Sequence, residues 1–94
     1  MALSTQMIGY DLNRPGQKYE ALADQIKKIS NGTWWHKLDS TWFIRTELNS
    51  AQVCKSLQPY VDGNDELLVI NVTGDSAAWI GFDSQASDWL KNNL

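Results

Sequence analysis

From Thr5 to Leu12 apolar and polar positions alternate, with Ile8, Tyr10 and Leu12 on one side and Met7, Gly9 and Asp11 on the other. A period of two predicts a half-buried strand. From Pro15 to Ser30 the period lengthens. Tyr19, Leu22, Ala23, Ile26 and Ile29 fall at helical spacing, opposite Lys18, Asp24, Lys27 and Lys28. Pro15 suits a first helical turn, where its missing N–H is harmless. Asn31-Gly32 supplies residues that tolerate the left-handed conformation ending helices.

Thr33 to Leu38 and Thr41 to Thr46 are rich in β-branched and aromatic residues, and the short polar Asp39-Ser40 between them predicts a hairpin. Trp34, His36 and Leu38 share one face of its first strand, with Trp35 on the other; Trp42 and Ile44 oppose Phe43 and Arg45 on the second. Asn49-Ser50-Ala51-Gln52 reads as a capping box opening a second helix. That helix is expected to bury Val53, Cys54 and Leu57 and to end near Pro59. The cluster Asp62-Gly63-Asn64-Asp65 predicts a turn. Leu67-Leu68-Val69-Ile70 follows as a strand apolar on both faces, hence expected to be covered on both. Ala77 to Phe82 is expected to add a fifth strand, and Ser87 to Leu94 a short helix anchored by Trp89 and Leu90.

Strand, helix, strand, strand, helix, strand is the order of a ferredoxin-like α+β fold, a four-stranded antiparallel sheet with two helices on one face. The chain reads as a single domain over 1–94, with a core at about 5–73 and a C-terminal extension at 74–94. The expected helix-facing set is Tyr10, Trp42, Ile44, Leu68 and Ile70. The open face would then carry Met7, Asp11, Trp35, Phe43, Leu67 and Val69, too much apolar surface to leave in water. Stacking of that face in a homodimer is the expected cover, and the C-terminal segment is the alternative.

At 94 residues, 43% hydrophobic and 20% charged, the chain has an ordinary globular composition. No apolar run approaches the roughly 20 residues that span a bilayer. The first residues lack the pattern of a secretory leader, so a cytoplasmic location is expected and Asn31-Gly32-Thr33 and Asn71-Val72-Thr73 are expected to stay unglycosylated. A single cysteine, Cys54, fits a reducing compartment. The net charge of −3 argues against binding that relies on non-specific phosphate attraction, which needs Lys and Arg to displace counterions. It leaves room for nucleic acid held locally or through a metal.

The candidate chemistry is sparse. Asp11 stands at the mouth of the first strand, placed either to hold a cation or to form a turn. His36, the single histidine, is a candidate general acid or base, but a half-buried strand more often uses it structurally. Ser40 is either a phosphate contact or turn chemistry. Arg14, Arg45 and Lys37 are either phosphate contacts or solvated charges. Five tryptophans offer base stacking, although core and interface packing explains their alternation equally.

Ile8-Gly9-Tyr10-Asp11-Leu12 resembles the first strand of the small CRISPR-associated proteins, family two, in which a Tyr-Asp pair closes that strand. Asp39-Ser40-Thr41-Trp42-Phe43 is similar to that family's hairpin turn and third strand, and Asp65-Glu66-Leu67-Leu68-Val69-Ile70 to its acidic-then-apolar fourth strand. The order of elements matches over about 6–73. The resemblance implies a ferredoxin-like homodimer in which Asp11 faces its symmetry mate, binds a divalent cation such as Mg²⁺ and activates water for phosphodiester cleavage. Members of the family act as metal-dependent nucleases or as the structural partner of the spacer-integrating enzyme, and the related virulence-associated protein D cleaves RNA. That implies an endoribonuclease acting on RNA more than DNA, with Asp11 catalytic and Arg14, Ser40 and Arg45 on nucleic acid. The family follows its Asp with a cluster of Lys and Arg, whereas here only Arg14 lies close, so the resemblance is that of a diverged relative. The second expectation is a non-catalytic dimerisation or adaptor module, antitoxin-like, with a protein partner.

Overall fold

A computed structural model of the chain describes residues 2–12 and 19–94. Strand β1 (Ser4–Asp11) leads to helix α1 (Tyr19–Lys28), the hairpin of β2 (Trp34–Leu38) and β3 (Thr41–Thr46), helix α2 (Ser50–Leu57), strand β4 (Glu66–Asn71) and helix α3 (Ser84–Asn93). Arg14 and the helix start expected from Pro15 lie outside the described residues, as does the side chain of Tyr19. The strands form one antiparallel sheet in the order β2-β3-β1-β4. This α+β arrangement is compatible with a ferredoxin-like fold.

Each element has a local cause. Glu20 in the first turn and Lys27 and Lys28 in the last complement the dipole of α1. Asn31 and Gly32 then take φ of 52° and 75°, the left-handed stop that their side chains permit. The capping box of α2 is complete: Asn49 Oδ1 accepts from the Gln52 amide at 2.8 Å, and Gln52 Oε1 accepts from the Asn49 amide at 2.9 Å. A 3₁₀ turn (Gln58–Tyr60) containing Pro59 closes α2. Asp65 accepts from the Asp62 amide at 2.7 Å, which holds the turn into β4.

Beneath α1 and α2 the core is Ile8, Leu22, Ile26, Trp42, Ile44, Val53 and Leu57, with Tyr10, Leu12, Leu67 and Val69 packed against it. The expected faces of β1 and β3 are those observed. On β2 a register shift between Trp35 and Leu38 turns Leu38, expected beside Trp34 and His36, to the face of Trp35 and Phe43. On β4 the expected faces are reversed: Leu67 and Val69 face the helices, while Leu68 and Ile70 are exposed on the other face. A strand apolar at every position carries no alternation to fix its facing, and a slip of one residue inverts it. Cys54 is exposed rather than buried, because Val53 and Leu57 alone supply the inward side of α2. Buried Gln6 is satisfied from both sides, accepting from Ser50 Oγ at 2.6 Å and donating to Ser4 Oγ at 2.9 Å, as a buried amide requires.

No strand forms over 77–82. Residues 72–83 run irregularly and α3 begins at Ser84, earlier than the sequence suggests. Trp79 and Phe82 pack into the same cluster, whereas residues three apart in a strand would point to opposite faces. Gly81 also adopts a φ of 91°, outside the strand region. The consequence is a second core on the far side of the sheet. Trp35, Ala86 and Leu90 are buried there, with Phe43, Trp79, Phe82, Trp89 and Leu94 packed around them. Phe43 and Phe82 each meet Trp35 with ring centroids 5.1 Å apart and steeply inclined planes, the edge-on geometry that aromatic quadrupoles favour. The C-terminal segment therefore covers this face over β2 and β3.

Candidate functional site

Asp11 ends β1 on the α3 side of the sheet, exposed, directly opposite Glu66 of β4. Opposed residues in an antiparallel pair point to the same face, so the two carboxylates are neighbours. They border a shallow depression of about 410 Å³ whose walls are Gly9, Tyr10, Leu67 and Leu68. The Tyr10 amide donates to the Ser40 carbonyl at 3.1 Å, which brings the hairpin turn to the same end of the sheet as Asp11. Glu66 was not foreseen as part of this site. Its signal lay in the pairing register, which places it beside Asp11 although 55 positions separate them in sequence.

Arg45 is elsewhere. It pairs across the sheet with Thr5 and donates to Thr5 Oγ1 at 2.9 Å. Thr5 Oγ1 in turn donates to the Asn93 carbonyl at the end of α3. The guanidinium thus sits near a helix C-terminus, where a cation is favourable. Thr5 and Asp11 are six residues apart on β1, or about 20 Å at some 3.4 Å per residue. Arg45 and Asp11 therefore belong to opposite ends of the sheet. Arg14 falls outside the described residues.

His36 lies flat on Trp42, with centroids 3.8 Å apart and planes inclined by 10°, and its Nε2 is 2.9 Å from the Asp39 carbonyl oxygen. Trp42 is itself buried and donates to the Tyr10 hydroxyl at 3.0 Å. Lys27 stands 4.9 Å over the ring of Trp34, a cation–π contact. Lys37 pairs with Asp83 at 3.2 Å. Asp83 caps α3 by accepting from the Ala86 amide at 2.8 Å, and that bond, followed by Lys37, holds its carboxyl below the ordinary 3.8. These contacts assign His36, Lys37 and the tryptophans to packing and helix capping.

Among the described residues no three His, Cys, Asp or Glu side chains converge as a metal-binding group. None of the described helices is long and apolar enough to cross a membrane.

The chain matches no protein-family model and no solved structure. Its likeness to the CRISPR-associated proteins thus rests on the Tyr10-Asp11 strand end, the Asp39-Ser40 hairpin and the order of elements.

The other half of the α3-side face is chemically different. Met7 of β1 pairs with Ile70 of β4, and Gly9 with Leu68. Leu68 and Ile70 are 55% and 41% exposed, because α3 lies over the aromatic side chains of β2 and β3 instead. An apolar strip therefore runs along β4, ending at the Asp11–Glu66 pair.

Proposed function

We propose that this protein works by binding, as a ferredoxin-like assembly or adaptor module that holds a protein partner on the uncovered half of its sheet. The observation that carries this reading is the strip of Leu68 and Ile70, side by side on one face and open to water. Neighbouring apolar side chains left uncovered beside a packed aromatic cluster fit a partner surface. The charge distribution supports the same reading. Arg45 is engaged with Thr5, Lys37 with Asp83 and Lys27 with Trp34, so these cations are occupied in holding the fold. The test is retention of single-stranded RNA at low salt, together with its cleavage in the presence of Mg²⁺ or Mn²⁺. Neither is expected. Cleavage that disappears in Asp11→Ala would overturn the reading.

A second reading is favoured by one specific observation, the pairing of Asp11 with Glu66. Mg²⁺ is commonly held by one or two carboxylates together with water and substrate phosphate, and this pair fits that donor set. In this reading the protein is a metal-dependent endoribonuclease, Asp11 and Glu66 hold the cation, and the Ser40 turn borders the substrate. A bound Mg²⁺ would supply positive charge to a phosphodiester. Asp11→Asn and Glu66→Gln should then each abolish both Mg²⁺ binding by calorimetry and RNA cleavage. Loss in one variant alone would remove the pair as a unit.

A further inference from the structure

The two edges of the sheet are built differently. At β2 the pairing with β3 shifts register between Trp35 and Leu38, Lys37 projects from the strand and α3 packs beside it. Irregularity, lysine and a covering helix are the devices by which edge strands avoid pairing with other chains. At β4 none of them is present among the described residues. Glu66–Asn71 pairs with β1 without a register shift, contains no Pro, Gly, Lys or Arg, and exposes Leu68 and Ile70.

The direction of the outer backbone groups follows from two hydrogen bonds. Val72 N–H donates to the Thr5 carbonyl, and Tyr10 N–H to the Ser40 carbonyl. In an antiparallel ladder, alternate residues turn their N–H and C=O to one neighbour or the other. Even-numbered residues of β1 therefore face β3 and odd-numbered ones face β4. On β4 the even-numbered residues, Glu66, Leu68 and Ile70, bond inward. Leu67, Val69 and Asn71 are left with outward N–H and C=O groups, and among the described residues no backbone hydrogen bond reaches those groups.

We propose that β4 pairs with β4 of a second copy of this chain about a two-fold axis through Val69, joining two sheets into one. This rests on the binding function proposed above and names its partner. A two-fold axis perpendicular to the sheet makes identical strands antiparallel and keeps both helix layers on one side. Centring that axis on Val69 sets Val69 opposite the partner's Val69 and Leu67 opposite the partner's Asn71, so every outward backbone group finds a mate. It also sets Leu68 opposite the partner's Ile70. That is a non-hydrogen-bonded pair, in which side chains approach most closely. Centring on Leu68 would instead place Glu66 against the partner's Ile70. The Val69 register moves the strand's only charge out of the paired Leu67–Asn71 stretch, and two acidic chains can then meet without carboxylates opposed at the seam. This self-complementarity favours a second copy over a foreign strand.

The test combines sedimentation with cross-linking. The native chain should show a concentration-dependent monomer–dimer equilibrium. Ile70→Lys, at an exposed position, should weaken it by about tenfold or more while leaving circular dichroism and thermal unfolding of the monomer unchanged. In a Cys54→Ser background, Leu68→Cys mixed with Ile70→Cys should cross-link under mild oxidation much faster than either protein alone, since Cα atoms in such a pair lie about 4.5 Å apart. A chain that stays monomeric up to millimolar concentration overturns the proposal, and so does a dimer indifferent to Ile70→Lys. Equal cross-linking in the mixed and single samples also overturns it, by excluding the register. A monomer that captures another protein through Leu68 and Ile70 would refute this partner and keep the binding function. RNA cleavage dependent on Asp11 would refute the function itself.

Discussion

Trp42 shows how one side chain ties several elements together. It is buried on β3, stacks on His36 of β2 and donates its indole N–H to Tyr10 of β1. Tyr10→Phe removes the acceptor and leaves a buried donor unmade, which should destabilise the protein by about 1–3 kcal/mol in urea titration. Asp11 is exposed by contrast, and Asp11→Ala should change stability by less than about 0.5 kcal/mol. A large loss on unfolding would show that Asp11 is a structural residue. The alternation of β1 and the aromatic pattern of the hairpin made their facings legible in sequence, except at Leu38, which the register shift in β2 turns to the other face. The facing of β4 was not legible, because Leu67-Leu68-Val69-Ile70 offers an apolar side chain to either face. The carboxylate neighbour of Asp11 was hidden for the same reason: Glu66 enters the site through the register of β4 with β1.

Among the elements, α3 has the largest consequence. It seals the β2–β3 half of the far face and leaves the β1–β4 half open. Its N-terminus depends on Asp83, whose carboxyl is held below its ordinary value by the Ala86 amide and then by Lys37. A carboxyl with a depressed folded pKa stabilises the fold fully above the unfolded value and loses that contribution as pH falls through the folded one. The seating of α3 should therefore weaken as pH drops below 3.8, seen as a loss of near-ultraviolet circular dichroism from Trp35, Trp79 and Trp89. Asp83→Asn, which keeps a capping oxygen, should flatten that dependence; an unchanged acid profile would assign the transition to other carboxylates. Asn49→Ala, at the cap of α2, should cost about 1 kcal/mol, measured by thermal unfolding. The helix that α3 forms was expected from Trp89 and Leu90, and its place over the sheet was the alternative to a face-stacked homodimer. The tract before it reads as a strand by composition, and only the packing of Trp79 and Phe82 onto the Trp35 cluster decides against that.

At the scale of the molecule, a sheet covered by helices on one face is half covered on the other. What remains is an apolar strip along an unguarded edge strand, with two carboxylates at its end. The net charge of −3 weighs against adhesion to polyanions and leaves pairing with another protein surface as the better use of that strip. The most direct measurement is amide hydrogen exchange of β4 at increasing protein concentration. Leu67, Val69 and Asn71, whose N–H groups point away from β1, should exchange freely in dilute protein and become protected as concentration rises, while Leu68 and Ile70 stay protected throughout. Exchange at those three amides that is fast at every concentration would contradict pairing through β4.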